Sequence, residues 1–245
     1  MNAKKLILSR KGFDSGSGGC PSPIFPDGTM FSLPIPSYDQ EAFEDLQHGD
    51  VDIGSLVTGI TNGRMSGKNL IHLDPDLNFD AYRYRKDRAN WQQWRGMLGQ
   101  AGAAQSHLNR QDVGSGDVFL FFGLYRRVAE TAQGWRFVRG SPDLHVLWGW
   151  LQVDQKYRVA DIRSNDLPWA HHHPHLFSNY RDKNNSVYTA SKNLDLGGDD
   201  DQPDIAGWGV FPRFDRRLVL TNPYGPGVSN WRLPRWFFPD GDKPP

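Results

Sequence analysis

The sequence predicts an α+β fold: a single domain with a central, mostly antiparallel or mixed β-sheet or partial barrel, short helices and long loops. Strand-like segments, with apolar alternation and many β-branched or aromatic residues, outnumber the helical ones. The 26 Gly and 17 Pro of the 245-residue chain favour turns and short strands. Because strand-like segments flank every Gly- or Pro-rich stretch, we expect one domain over residues 1–245, with a loose tail at about 239–245.

The individual elements follow from these patterns. Strands are predicted at 5–9, 118–125, 134–140, 145–153, 186–190, 207–211 and 217–221. Helices are predicted at 39–47, at 52–60 behind an Asp52 cap, and at 90–110, where glycines interrupt the pattern. The runs at 118–125 and 145–153 are largely apolar, so we expect them to be neighbouring strands at the centre of the sheet.

Charge, cysteine content and hydropathy exclude several classes of protein. The 28 basic and 28 acidic residues argue against an indiscriminate nucleic-acid binder, which needs an excess of Lys and Arg. The single cysteine, Cys20, excludes an intrachain disulfide and a multi-cysteine zinc site, and it fits a reducing compartment. No segment approaches the ~18 apolar residues of a membrane span, so we expect a cytoplasmic protein with no membrane partner.

The loop "FDSGSGGCPSPIFPDG" (13–28) carries two carboxylates, Asp14 and Asp27, and small residues such as Ser15. Backbone N–H groups of Gly and Ser can form an anion nest, and a carboxylate beside it can aim a water or stabilise a developing cation. A flexible linker has the same composition. Three prolines stiffen the second half, which favours a substrate-facing loop.

Two histidine motifs are typical of metal sites. In "HLDPD", His72 and Asp74 would share one face of a strand, and a distant histidine could complete a two-histidine, one-carboxylate site. The alternative is an Asp-Pro turn. In "WAHHHPHLF", Pro174 should hold His173 extended, so that His173 and His175 share a face and bind a metal, a proton or a phosphate. A solvated histidine run is the alternative.

The string "GQAGAAQSHLNR" surrounds amides and an imidazole with small residues. Gln100, Gln105 and His107 have the donor and acceptor groups that read a base edge. A tightly packed helix with exposed polar residues explains the string equally well.

The segment "YRYRKDRANWQQWR" (82–95) interleaves cations with aromatic rings. Cations neutralise phosphates and aromatic rings stack on bases, so this segment is the predicted DNA-binding surface. Its candidate contacts are Arg83, Arg85, Lys86, Arg88 and Trp91. An amphipathic surface segment whose Trp residues belong to the core is the alternative.

Taken together, these strings resemble the bacterial and phage family called nucleotide modification associated domain, third type. The matching strings are "LSRKGFDSGSGGCPSPIFPDG", "SLPIP", "HLDPD", "GQAGAAQSHL", "GDVFLFFG", "WGWLQV" and "HPH", in order from residue 8 to about 175. The family is associated with enzymes that make or process hypermodified DNA bases. The resemblance therefore implies double-stranded DNA carrying modified bases as the partner, but it supplies no reaction, catalytic residue or oligomeric state.

The polar strings at loops and strand ends favour an enzyme. The leading prediction is a cofactor-free DNA glycosylase that hydrolyses the N-glycosidic bond of a hypermodified pyrimidine, for example a glucosylated hydroxymethyl pyrimidine, in phage DNA and so serves antiviral defence. Asp14 is the first candidate for the catalytic carboxylate, followed by Asp27 and Asp74. The predicted substrate contacts are Ser15, Gln100, Gln105, His107, His173 and His175.

Two alternatives remain open. One is an Fe(II)-dependent oxygenase with His72, Asp74 and either His173 or His175 as ligands, although the sequence pattern places no basic residue for a keto-acid cosubstrate. The other is a non-enzymatic reader of modified bases on a PUA-like barrel, to which the Gly-containing strands at 118–125 and 145–153 are loosely similar.

Overall fold

The computed structural model describes residues 4–163, 165–177, 182–197 and 204–234, so the tail predicted at 239–245 lies outside the described residues. The strands are β1 (Leu6–Arg10), β2 (Ser22–Ile24), β3 (Ile35–Pro36), β4 (Gln47–His48), β5 (Val51–Asp52), β6 (Ile71–His72), β7 (Met97–Gln100), β8 (Val118–Thr131), β9 (Gly134–Phe137), β10 (Leu144–Arg158), β11 (Ser186–Ala190) and β12 (Trp208–Val210). The α-helices are α1 (Ile53–Ile60), α2 (Gly102–Arg110) and α3 (Pro174–Phe177). Short 3-10 helices lie at Phe43–Asp45, Phe79–Ala81, Arg85–Asp87, Trp91–Gln93, Val159–Asp161 and Arg216–Leu218.

The main sheet is mixed, as the sequence predicted. It has eight strands in the order β1-β8-β10-β11-β7, with β2 and β9 also pairing with β8 and β12 with β10. The pairs β1–β8 and β2–β8 are parallel, and the others are antiparallel. The α+β fold class is confirmed, and the described strands do not close into a barrel.

The two long central strands, β8 and β10, form the middle of the sheet as expected. They pair antiparallel from Leu144 opposite Tyr125 to Gln152 opposite Val118, with a bulge between Leu147 and Gly149. Most apolar side chains along both strands are buried, because the sheet is covered on both faces near its centre. This rigid pair carries the loops and short strands that build the site.

Helix α1 begins where the sequence predicted. The Asp52 carboxylate accepts a hydrogen bond of 2.6 Å from the Ser55 N–H group, which satisfies one of the unpaired donors at the helix start. The helix buries one apolar face, including Leu56 and Val57, against a cluster that contains Phe13 from the Gly-rich loop. That loop is therefore anchored to the core rather than slack.

Three predicted elements differ from the observed ones. The helix predicted at 39–47 is a single 3-10 turn, Phe43–Asp45, because the chain turns at Gly49 into the hairpin β4–β5. The segment 90–110 divides into β7 and α2, since a strand is needed there to pair with β11. The strand predicted at 217–221 is a 3-10 turn at Arg216–Leu218, where the Asp215 carboxylate accepts from the Arg217 N–H group, followed by isolated bridges.

Across the described residues, the structure contains no helix with the length and apolar character needed to cross a membrane.

Candidate functional site

A cleft of about 450 Å³ opens beside the end of β1 and the edge strand β7. Its walls gather polar residues from segments that are far apart in the sequence. They include Lys11, Asp14, His72, Asp74, Gln100 and His175. The Gly-rich loop, the "HLDPD" motif, the "GQAG" string and the histidine run thus meet at one place.

The base of this cleft holds a group of three buried side chains: His72, Asp74 and His175. One ligating atom from each residue lies within 4.8 Å of the others, close enough to share a metal ion. The strand pair β3–β6 sets His72 opposite Ile35, and the helix α3 supplies His175. The sequence left open whether His173 or His175 would join His72 and Asp74. The structure brings His175 into this group of two histidines and one carboxylate.

Backbone pairing places Asp74 beside β7. The N–H and C=O groups of Asp76 exchange hydrogen bonds of 2.9 and 3.0 Å with those of Met97, which docks the "HLDPD" motif along the strand. In this register the Gly99 N–H group donates to Asp74 Oδ1 at 2.5 Å. The Asp74 carboxylate is thus bonded across the chain rather than only within an Asp-Pro turn.

Both histidine rings are oriented by a second polar residue. His72 Nδ1 lies 2.7 Å from Asp39 Oδ2, and His175 Nδ1 lies 2.6 Å from Asn185 Oδ1. The Asn185 amide is fixed, because its Nδ2 donates to the His175 carbonyl at 2.9 Å. These acceptors favour the proton on Nδ1, so Nε2 is the nitrogen that each ring presents as a ligand.

The protonation state of His175 suits a ligand. Burial lowers the pKa of His175 to about 4, and the neighbouring His173 and His72 act in the same direction against the opposing effects of Asp74 and Asn185. His175 is therefore neutral near pH 7, which is the form that binds a metal.

Lys11 is the cation of the site. Burial alone would raise the pKa of Asp74, but Lys11, helped by the hydrogen-bonding and charge effects of His173 and His175, holds that pKa well below its usual value. The Lys11 ammonium lies 2.9 Å from Asp74 Oδ2 and 3.1 Å from Gln100 Oε1. Sequence reasoning missed this residue, although it directly follows β1 and precedes the Gly-rich loop.

His173 lies beside the group of three but is differently placed. Its Nε2 lies 3.4 Å from Asp74 Oδ1, a long contact through which His173 helps to hold that carboxylate ionised. Pro174 begins α3, where its missing N–H group carries no cost, so His175 lies in a helix and does not follow the strand-like alternation with His173 that was predicted. His173 therefore packs against Asp74 and His175 from the side.

Asp14 lies in the cleft wall and organises the Gly-rich loop. Its Oδ1 accepts from the N–H groups of Gly16 at 2.6 Å and Ser17 at 2.7 Å, and its Oδ2 is bonded to Arg10. Ser15 is exposed in the same turn. The loop is a folded structure, and catalysis by Asp14 stays a prediction.

The catalytic candidate Asp27 and the substrate candidates Gln105 and His107 lie outside the cleft lining. Asp27 is exposed and bonds Thr29 in a turn, where the Thr29 N–H group holds the pKa of Asp27 below its usual value. Gln105 is fully buried, and its Nε2 donates to Tyr188 Oη at 2.9 Å. His107 is exposed on α2. The burial of Gln105 thus favours the alternative in which the string forms a tightly packed helix and does not read a base.

Most cations of the predicted DNA-binding segment are held in ion pairs. Arg85 is buried and binds both oxygens of Asp76, at 2.5 and 2.7 Å. Arg88 pairs with Glu41, and Arg83 with Asp52 at 2.6 Å. Lys86 is exposed and Trp91 is half-buried. Burial leaves Arg85 little surface for a phosphate, so Lys86 and Trp91 remain the better candidates for DNA contact.

We predict that Arg85→Ala lowers the free energy of unfolding by about 3–5 kcal/mol, because it leaves the Asp76 carboxylate buried and unpaired. Lys86→Ala, at an exposed position of the same 3-10 turn, should change it by less than about 0.5 kcal/mol. Urea unfolding of both variants measures the difference. Equal stabilities would show that Arg85 is not a structural residue.

Comparison with known proteins gives one match. The family model for nucleotide modification associated domain 3 matches residues 5–244, nearly the whole chain. Searches of curated proteins and of solved structures gave no match.

Proposed function

Because the chain belongs to the nucleotide modification associated domain 3 family, we propose that its cleft binds a modified base of DNA and that an iron(II) ion at His72, Asp74 and His175 supports oxidation of that base. The observation that carries this proposal is the group of three ligands with both imidazoles oriented through Nδ1. Two histidines and one carboxylate with open coordination positions are typical of non-haem iron(II) oxygenases.

The residues present fit such an ion. Asp39 and Asn185 supply the outer hydrogen bonds that metal-binding histidines usually make, and Asp74 is ionised. A bound iron(II) ion would activate O2 for insertion into a C–H bond. The fit rests on the donor set of this chain and not on its fold, since the same ligand set occurs on unrelated folds.

An oxygenase that uses a 2-oxo acid needs a basic residue to bind that acid, and the sequence alone did not identify one. Lys11 is our candidate for this role. Its ammonium lies next to Asp74 in the cleft, where it can bind the carboxylate of a 2-oxo acid cosubstrate. One oxygen atom of O2 would then enter the base. The other would enter the carboxylic acid that forms when the 2-oxo acid loses CO2, so that atoms and electrons balance.

The walls of the cleft suit a base. The volume of the cleft, about 450 Å³, lies within the range of small-molecule sites. Gln100 projects an amide that can bond a base edge after exchanging its contact with Lys11. A base in duplex DNA would have to leave the stack to reach Asp74, because that carboxylate is buried at the base of the cleft.

A DNA glycosylase is the second candidate, and the ionised state of Asp74 favours it. A carboxylate held as an anion at the base of a cleft can aim a water at the sugar carbon or stabilise the positive charge that develops there. Asp14 in the wall is the other available carboxylate. This reaction needs no metal and no cosubstrate, and antiviral defence is the role we would assign to it.

One experiment distinguishes the two reactions. The full-length protein is incubated with modified and unmodified duplexes in the presence of iron(II), a 2-oxo acid and air, with an EDTA-treated sample as the control. Mass spectrometry of the digested DNA should show a nucleoside that has gained one oxygen atom, only without EDTA. A released base and alkali-labile sites that persist in EDTA would establish the glycosylase instead. Unchanged DNA in every sample would overturn both.

We predict that Gly99→Ala weakens iron binding by about 10- to 100-fold, the range measured when residues that orient metal ligands are lost. A methyl group at Gly99 would lie 2.1 Å from Cδ2 of His175, so the ring must move. Gly114→Ala is the matched control, because a methyl group there meets nothing within 4 Å. Titration with iron(II) under anaerobic conditions, alongside near-ultraviolet circular dichroism, measures affinity and folding. Equal affinities would contradict the assignment of His175.

A further inference from the structure

A second, smaller cavity of about 50 Å³ adjoins the cleft, and we call it the inner chamber. Gly12 and Asp74 line both spaces, so the inner chamber lies next to the reactive group. Its walls are mainly apolar and include Phe31, Leu77 and Phe211.

Two residues that line the inner chamber carry a buried polar atom without a hydrogen-bonding partner among the described residues. Tyr125 on β8 and Trp148 on β10 both line it, and their side chains are 0% and 6% exposed. Within the described residues, neither Tyr125 Oη nor Trp148 Nε1 makes a hydrogen bond, although the Ser32 hydroxyl lies near Tyr125. A buried donor without a partner costs about 1–3 kcal/mol, so two of them on residues that line one chamber point to a polar group from outside the described residues.

The size of the inner chamber limits what that group can be. A water molecule needs about 10–15 Å³ of such space, so the chamber has room for about three to five non-hydrogen atoms. A whole base or a hexose is too large. A short hydroxyl-bearing substituent fits, with its carbon against the apolar walls.

The chemistry of the two polar atoms favours a hydroxyl oxygen. Trp148 Nε1 can only donate a hydrogen bond, whereas Tyr125 Oη can donate or accept one. A hydroxyl group can accept from Trp148 and donate to Tyr125, and so satisfies both atoms at once. A methyl group of similar size would leave both unpaired.

We propose that the inner chamber is a specificity pocket for a short hydroxyl-bearing substituent on the base that occupies the cleft. This inference rests on the proposed function, in that the ring of the base must bind next to Asp74. The substrate class is then a pyrimidine with a small hydroxyalkyl group, and a base carrying a bulky sugar would not enter in this way.

The test is a binding measurement that does not depend on turnover. Fluorescence anisotropy compares duplexes that carry one 5-hydroxymethyluracil or one thymine, which differ by a single oxygen atom at the substituent. The full-length protein should prefer 5-hydroxymethyluracil by at least about tenfold, a difference that one well-placed hydrogen bond can supply. Tyr125→Phe and Trp148→Phe should each remove most of this preference and leave the affinity for the thymine duplex within about twofold.

Folding is controlled by thermal melting. Tyr125→Phe removes an unpaired buried hydroxyl and should not destabilise the free protein. Tight binding of both duplexes without a preference, or a preference that survives in Tyr125→Phe, would overturn the specificity pocket and leave the proposed function standing. Failure to bind either duplex would overturn the proposed function and the pocket with it.

Discussion

Asp74→Asn should lower the rate of base oxidation by more than about 100-fold and abolish stoichiometric iron binding, while the protein remains folded. The substitution keeps an oxygen that can accept from the Gly99 N–H group, but it removes the negative charge that both the iron and Lys11 require. The loss should exceed the 10- to 100-fold expected of outer hydrogen-bonding partners, because Asp74 is a direct ligand in the proposed iron site.

The matched control for this substitution is Asp27→Asn. Asp27 is exposed in a turn outside the cleft, so its replacement should leave rate and iron content unchanged. Turnover is measured by mass spectrometry of the digested DNA, and iron content by elemental analysis. Full activity in Asp74→Asn would contradict the oxygenase and would leave only a glycosylase that uses Asp14.

Lys11→Met should raise the KM for a 2-oxo acid by about 10- to 100-fold and leave iron bound. A hydrogen bond to a charged group contributes about 1.5–3 kcal/mol, and each 1.4 kcal/mol corresponds to a factor of ten in affinity. Methionine keeps most of the length of the lysine chain without its charge, so packing beneath Asp74 is largely preserved.

Lys68→Met is the control for the charge, because Lys68 is exposed. Turnover at several concentrations of the 2-oxo acid measures the KM, and anaerobic titration measures iron binding. A KM equal to that of the unchanged protein would remove Lys11 from cosubstrate binding. Loss of iron in Lys11→Met would instead assign it a role in stabilising the metal site.

The fold class could be predicted because it follows from local patterns. The apolar runs of β8 and β10 and the Asp52 cap of α1 are local in the sequence, and each was found. The helix predicted at 39–47 was wrong because Gly49 turns the chain into a hairpin. The strand inside 90–110 could not be predicted, because pairing with β11 is a tertiary effect that overrides local propensity.

The site was only partly predictable, for the same reason. The spacing of His72 and Asp74 and the histidine run suggested the candidate metal ligands. Lys11, Asp39 and Asn185 were missed, because their contacts join residues that are distant in the sequence and no short motif records them. Asp14 was missed for a different reason: its bonds to the Gly16 and Ser17 N–H groups are local, but the Gly- and Ser-rich composition of the loop is shared with flexible linkers.

The basic segment illustrates the limit of charge patterns. Five cations and several aromatic rings over 82–95 suggested a DNA-binding surface. Arg83, Arg85 and Arg88 find carboxylate partners outside this segment, at Asp52, Asp76 and Glu41. A local excess of positive charge in a sequence does not reveal which of its members are neutralised after folding.

The metal content of the purified full-length protein tests the central claim most directly. Elemental analysis is performed after expression in iron-supplemented medium, with His72→Ala and Asp27→Asn prepared in parallel. We expect stoichiometric iron in the unchanged protein and in Asp27→Asn, and its loss in His72→Ala. Metal-free protein that is fully active on modified DNA would contradict this claim.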